Sequence, residues 1–503
     1  MLSFIFLVLF VVATLQIEGL SCETQSIGLA DDPSNIVWQK TFGGRGKEDG
    51  WALSSTLDGG YIIVGSTSSY GGIGENAWLI KLDDAGNEQW NMTYGGRKSD
   101  YGFSGQQTSD GGYILAGGTT SFGAGDHDVL LIKTDAMGEE IWNVTFGGEE
   151  RDQGYAVQQT NDNGYIIVGG TGSYSKGPND YWVIKTDVNG DMEWNTTLGT
   201  DGYDWGYDVL QTGDGSFVLT GGTDVSLFHK HILDIGLYKL NAQGSLLWES
   251  RFNKLPARQR WDEGYGIQQS SDGGYIIAGI AHTYGWSEEN EGDAWLIKTD
   301  EMGNKLWENV FGGNGCDCFS SVQQTTDGGY ILSGWTYSYG AGDADLWLLR
   351  TDATGEELWD MTIGGENYEW SMLHTLQQSN DGGYLILGTT QSYGGGYSDL
   401  LLTKVMEPSI RIDFAGGGSE ITITNTGTQD LDLPWSIDIQ STGILPTNGH
   451  QEGYVTVSAG GNTTIESTVF LMGLGECTMR VTVGGIGNMA RFLLLGPFML
   501  PLD

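Results

Sequence analysis

A tight turn, Asp-Gly-Gly-Tyr or a close variant, recurs seven times along this 503-residue chain, starting at residues 58, 110, 162, 214, 272, 327 and 381. The intervals are 52, 52, 52, 58, 55 and 54 residues. A tryptophan keeps the same register, at Trp38, Trp90, Trp142, Trp194, Trp248, Trp307 and Trp359. A unit of this length built from short apolar runs cannot bury its own faces, so copies must stack; that is the signature of propeller blades.

One copy shows the local logic. Gly154 to Thr160 reads as a strand, and Asp162-Asn163-Gly164 supplies the positive φ of a hairpin turn. Tyr165 to Thr171 is a second strand, Ser173 to Asp180 a glycine-rich loop, and Tyr181 to Asp187 a third strand. Val188-Asn189-Gly190 turns the chain into a fourth strand, Met192 to Leu198. Four antiparallel strands with short turns make one blade. The first repeat element is a lone fourth strand, Val37 to Phe42, and the last copy stops after its third, Leu400 to Val405. Joined, they complete a seventh blade and remove an open sheet edge. The fold expected is all-β: a seven-bladed β-propeller over residues 35–406, closed by an N-terminal strand. Beyond Glu407 the repeat stops, and the short strands of residues 407–503 read as a small immunoglobulin-like β-sandwich.

The pattern DGGYI–G–T followed by D–WLIK–D–G–W resembles the repetitive secreted and cell-surface β-propeller proteins of archaea and bacteria, in the quinoprotein-like propeller superfamily. The spacing Asp135–Gly138–Trp142 is similar to the tryptophan-docking repeat of those propellers, one residue shorter. The resemblance implies the fold and little about activity. Quinone enzymes of that type carry an adjacent cysteine pair and eight blades; here Cys316-Asp317-Cys318 is not adjacent and the copies number seven.

Composition narrows the partners. The formal net charge is −42, from 65 acidic and 23 basic residues, which argues against nucleic acid and anionic membrane. Residues 1–22 read as a signal peptide: Leu2 to Leu15 is apolar but too short to span a bilayer comfortably. Small residues before Cys22 leave a lipid anchor open, the one membrane attachment this reading allows. Export places the protein outside the cell or on its surface. It also draws notice to the sequons at Asn91, Asn143, Asn195 and Asn462, three of which share one place in the repeat.

The tight turns of one propeller face are monotonous, and most length variation falls on the opposite, loop face, where a repeat scaffold usually carries function. Two features stand out there. Asp49, Asp100, Asp152, Asp204, Asp262 and Asp317 end the loops that lead into the first strands, with Glu369 displaced by two residues in the seventh copy. Of these, Asp100, Asp152, Asp204 and Asp317 are candidate ligands for calcium, which favours clustered oxygens. The alternative is that each caps backbone N–H groups in its own turn. The second feature is a basic, aromatic patch formed by His229, His231, Arg258, Arg260, Trp261 and Trp286, suited to stacking a sugar or pairing an anionic group. Its alternative is simple compensation of local acid.

No nucleophile elbow, metalloprotease helix or phosphate loop is present. The function expected is non-enzymatic extracellular recognition or adhesion, binding a glycan or a surface protein through the loop face. A glycan-active hydrolase using carboxylates at the channel mouth is the alternative, and a structural envelope component is the third. A compact pocket with one isolated, buried acid would favour the enzyme.

Overall fold

The computed structural model describes residues 35–407, apart from 226–231, 255–260 and 283–291, and from 410 onward the strands alone. Every element described is a strand, and the repeat folds as seven blades around a central channel. Six blades are four-stranded antiparallel sheets whose strands follow chain order. In the seventh, Ile36–Phe42 lies outermost and pairs antiparallel with Asp399–Val405, with Thr41 opposite Leu401. The expected closure is therefore the observed one.

Burial explains the sequence of each blade. Second and third strands such as Tyr165–Thr171 and Asp180–Thr186 are buried along their whole length, because neighbouring blades cover both faces. They therefore read as continuous apolar runs. Fourth strands such as Met192–Leu198 lie outermost, with every residue half-buried or exposed. First strands of adjacent blades touch one another and line the channel.

The repeat's signature residues are seams between these layers. Trp142 packs on Tyr165 of the next blade with ring centroids 6.0 Å apart, and Trp90 on Tyr113 at 5.6 Å. Each ring also covers the hairpin glycine of that next blade: a methyl group on Gly190, whose φ is 84°, would lie 2.8 Å from Trp142 Cζ3. The third-strand cation turns back onto the Asp of its own blade's turn, as Lys81 does to Asp58 at 2.9 Å and Lys133 to Asp110 at 3.0 Å. Arg350 takes that place opposite Asp327. A glutamine at the end of a first strand accepts a turn N–H of the preceding blade, as Gln107 does from Leu57 and Gln159 from Ser109. The repeated sequon asparagines serve the same scaffold; Asn91 and Asn195 accept the indole N–H of Trp78 and Trp182.

From residue 410 the described strands form a three-stranded and a five-stranded sheet, with Phe498–Pro501 at the edge of the larger.

Candidate functional site

The strand-start carboxylates turn into the blades. Asp152 accepts the Thr171 hydroxyl, the Ser173 hydroxyl at 2.7 Å and the Gly148 N–H at 2.9 Å. Asp100 does the same with Thr119, Ser121 and Gly96, and Asp317 with Thr336, Ser338 and Gly313. Asp204 takes the N–H groups of Thr200 and Asp224. Each carboxylate thus satisfies the loop of its own blade. Among the described residues no group of three or more His, Cys, Asp or Glu is arranged to hold a metal ion.

Two members of this set differ from the expectation. In the first blade Glu48, not Asp49, stands opposite Thr67 and accepts its hydroxyl at 2.9 Å and the Gly44 N–H at 3.1 Å. The longer side chain reaches the same donors. Glu369 is not displaced in space: it pairs with Thr390 and accepts that hydroxyl at 2.7 Å. The additional residues of this copy are taken up in a break between Trp370 and Leu376.

Of the basic, aromatic patch, His229, His231, Arg258, Arg260 and Trp286 lie outside the described residues, as do the signal segment and Cys22. Trp261 is described and 41 % exposed, and its carbonyl meets the His282 ring. Nearby cations pair locally, Lys254 with Glu308 and Arg251 with Glu249. Cys316 and Cys318 are not joined in a disulfide, and burial pushes the Cys318 thiol well above its ordinary range.

The most distinctive surface is the channel wall on the loop side. In each blade two residues flank the second position after the capping acid and point inward. In blades one to five they are Asp49 and Trp51, Tyr101 and Phe103, Gln153 and Tyr155, Trp205 and Tyr207, Glu263 and Tyr265. The residue between them is glycine, because it packs on the neighbouring blade: a methyl group on Gly154 would lie 3.0 Å from Val129 Cγ1. The strand register then steps past the second residue, a bulge that re-aims its side chain.

The result is a continuous aromatic belt. Ring centroids are 4.5 Å apart for Trp51 and Phe103, 5.3 Å for Phe103 and Tyr155, 5.5 Å for Tyr155 and Tyr207, and 5.0 Å for Tyr207 and Tyr265. Trp205 adds to it at 6.2 Å from Tyr155. One carboxylate sits above the belt: Tyr207 donates to Glu263 Oε1 at 3.0 Å and Tyr265 to Oε2 at 2.7 Å. Burial pushes Glu263 above the usual carboxylate range, and the two phenol bonds oppose that push. Tyr155, pushed up to about 12 by burial, donates to Gln153, which also accepts from Arg151. Such a wall offers flat apolar faces beside hydrogen-bonding groups, the surface on which a sugar ring stacks. The belt was legible in principle, since these two positions vary from blade to blade while the glycine between them holds in the first five.

No protein-family model matches the chain, and no curated protein matches it in sequence. Among solved structures, PorZ, a surface component of the type-IX secretion system of Porphyromonas gingivalis, is 10 % identical with a TM-score of 0.42, over 90 % of this chain and 60 % of its own. Sqt1 from Chaetomium thermophilum is 11 % identical with a TM-score of 0.39, over 74 % of this chain and 99 % of its own. Sucrose-6-phosphate hydrolase from Lactobacillus gasseri is 9 % identical with a TM-score of 0.27, over 69 % of this chain and 84 % of its own.

Proposed function

We propose that this protein is an exported recognition protein that binds a glycan at the loop-side mouth of its channel. The observation that carries the reading is the aromatic belt from Trp51 to Tyr265 with Glu263 held above it by two phenols. The half-buried rings Trp51, Tyr155, Trp205, Tyr207 and Tyr265 would take the apolar face of a sugar, and the half-buried Glu263 would accept from its hydroxyls. The basic, aromatic patch on the same face would extend the contact to the rest of the glycan or to a surface protein that bears it. The C-terminal strands, read as an immunoglobulin-like module, serve as spacer or attachment, and the protein acts outside the cell or on its surface.

A second reading is favoured by one specific observation. Glu263 is an isolated acid whose proton burial helps retain, as a general acid of glycoside hydrolysis requires. Recognition ranks first because both Glu263 oxygens already hold phenol protons. A glycan array probed with the full chain, with and without calcium, tests recognition. Retained glycans are then incubated with the protein and analysed for shortened products. Binding without cleavage supports recognition, cleavage lost in Glu263→Gln supports the hydrolase, and an empty array sinks both.

A further inference from the structure

The seventh blade breaks the repeat in one place. Its first strand stops at Trp370 and resumes at Leu376, and the chain between carries His374 with a φ of 52°. Among the described residues the other non-glycine with positive φ is Asn163, in a hairpin turn where Asn is at home. A histidine with that φ, in a turn that interrupts the strand, is uncommon and persists where the surroundings impose it. Here they do: Leu53 donates to the His374 carbonyl at 2.9 Å, Leu387 to that of Thr375 at 2.9 Å, and Ser371 shares a hydroxyl bond with Ser320 at 2.9 Å.

Held this way, His374 reaches into the channel from blade seven toward blade four. Its Nδ1 lies 3.7 Å from Asp208 Oδ1, and its Nε2 is buried without a hydrogen-bond partner. Asp208 is an exception in its own right. The register equivalents in blades one, two, three and five are Ala52, Ser104, Ala156 and Gly266. Ser104 accepts the Val157 N–H of the next blade, and Asp208 accepts the Ile267 N–H in the same way. A hydroxyl suffices for that bond, so the carboxylate's second oxygen, which faces Val209 N–H and His374, is not explained by the scaffold.

Both groups line a cavity of about 380 Å³ at the hairpin end of the channel. They are its only titratable lining residues; the polar remainder is hydroxyl and carboxamide, with Gln158, Gln268, Gln323 and Gln377 prominent. Gln158, Gln268 and Gln323 accept the Gln211, Gln324 and Gln378 N–H of the next blade through their Oε1 atoms. The wall is uncharged, and the one carboxylate already faces an imidazole and two N–H groups. The cavity volume falls at the lower end of the range of small-molecule sites. We propose that this cavity is a second ligand site, for a small uncharged polyhydroxylated molecule of monosaccharide size, held between the His374 ring, Asp208 and the carboxamide wall. It stands independently of the aromatic belt.

The test is titration of the full chain with D-glucose, D-galactose and D-mannose, followed by ligand-observed saturation-transfer NMR. Saturable binding of at least one sugar is expected, weakened at least tenfold in His374→Ala and in Asp208→Ala and unchanged in Leu57→Ser on the outer turn. No saturable binding by the wild-type chain overturns the proposal, as do both cavity variants binding like wild type. Sugar binding lost in Tyr155→Ala but kept in both cavity variants belongs to the belt and also overturns it. Should either cavity variant fail to fold, the wild-type protein decides: the His374 ring nitrogen resonance shifts on sugar addition if the proposal holds and stays fixed if it does not.

Discussion

Asp180 and Asp204 aim carboxylate oxygens into the same space at the seam between blades three and four. A methyl group on Gly199, between them, would lie 2.7 Å from Asp180 Oδ1 and 2.9 Å from Asp204 Oδ2. Both side chains are fully buried, and Asp180 Oδ1 has no hydrogen-bond partner. Burial, opposed by hydrogen bonds from Thr200 and Asp224 and added to by the Asp180 carboxylate, raises Asp204 to about 6. Burial raises Asp180 as well, against N–H bonds from Lys176 and Gly177. At the seam between blades one and two the same place is filled by Asn76 opposite Asp100.

A folded-state pKa above the unfolded value means that the native state binds the extra proton. Its stabilising contribution is full below the unfolded value near 3.8 and is lost as pH rises through about 6. Asp180→Asn copies the Asn76 arrangement and removes a buried charge. It is expected to stabilise the protein by about 1 kcal/mol at pH 8 and by almost nothing at pH 4. Thermal or urea unfolding at the two pH values checks this.

The turn aspartates give the opposite sign. Against the upward push of partial burial, hydrogen bonds from Thr56 and Lys81 hold Asp58 at about 2, and a Lys404 bond does the same for Asp381. Stability from these pairs is full above about 3.8 and is lost as pH falls through about 2, so acid unfolding steepens there. Removing one anion strands a buried cation. Asp110→Ala, which leaves Lys133 only 4 % exposed, is expected to cost about 2 kcal/mol, and adding Lys133→Met recovers most of it. The measurement is a double-mutant cycle by urea unfolding.

Two hairpin glycines separate backbone strain from packing. Gly190 and Gly215 have φ of 84° and 83°, but a methyl group on Gly190 strikes Trp142 whereas one on Gly215 meets nothing within 4 Å. Gly215→Ala is expected to cost about 1 kcal/mol, the left-handed penalty. Gly190→Ala costs about 2 kcal/mol more, since Trp142 must shift from its seat. Equal losses in unfolding experiments would contradict the seam described between blades two and three.

Much of this architecture is legible from the chain. Period and turn chemistry place the hairpins, and the lone strand at Val37 to Phe42 predicts the closure found between Ile36–Phe42 and Asp399–Val405. Two capping acids are misplaced, for different reasons. Residue type favours Asp49, although Asp100, Asp152 and Asp204 stand ten residues before their turns and the residue ten before Asp58 is Glu48, which fills the place. Spacing to the turn displaces Glu369 because the extra residues around His374 leave the strand instead of lengthening it. The belt and the Asp208–His374 pair escape for a different reason. They are assembled from residues of several blades that no local motif links, and they occupy the positions at which the copies disagree. Attention to loop length overlooks substitutions within a strand of constant length.

In the proposed function the aromatic belt holds the ligand. The most direct test is the affinity of Tyr155→Ala and Trp205→Ala, each compared with wild type, for the glycan the array retains. Each ring is expected to contribute about 0.5–1.5 kcal/mol by stacking, so each variant loses up to about tenfold in affinity while its unfolding midpoint stays near that of wild type. Unchanged affinity in both, with binding abolished instead by Trp261→Ala on the loop face, would mean that the ligand is held outside the belt.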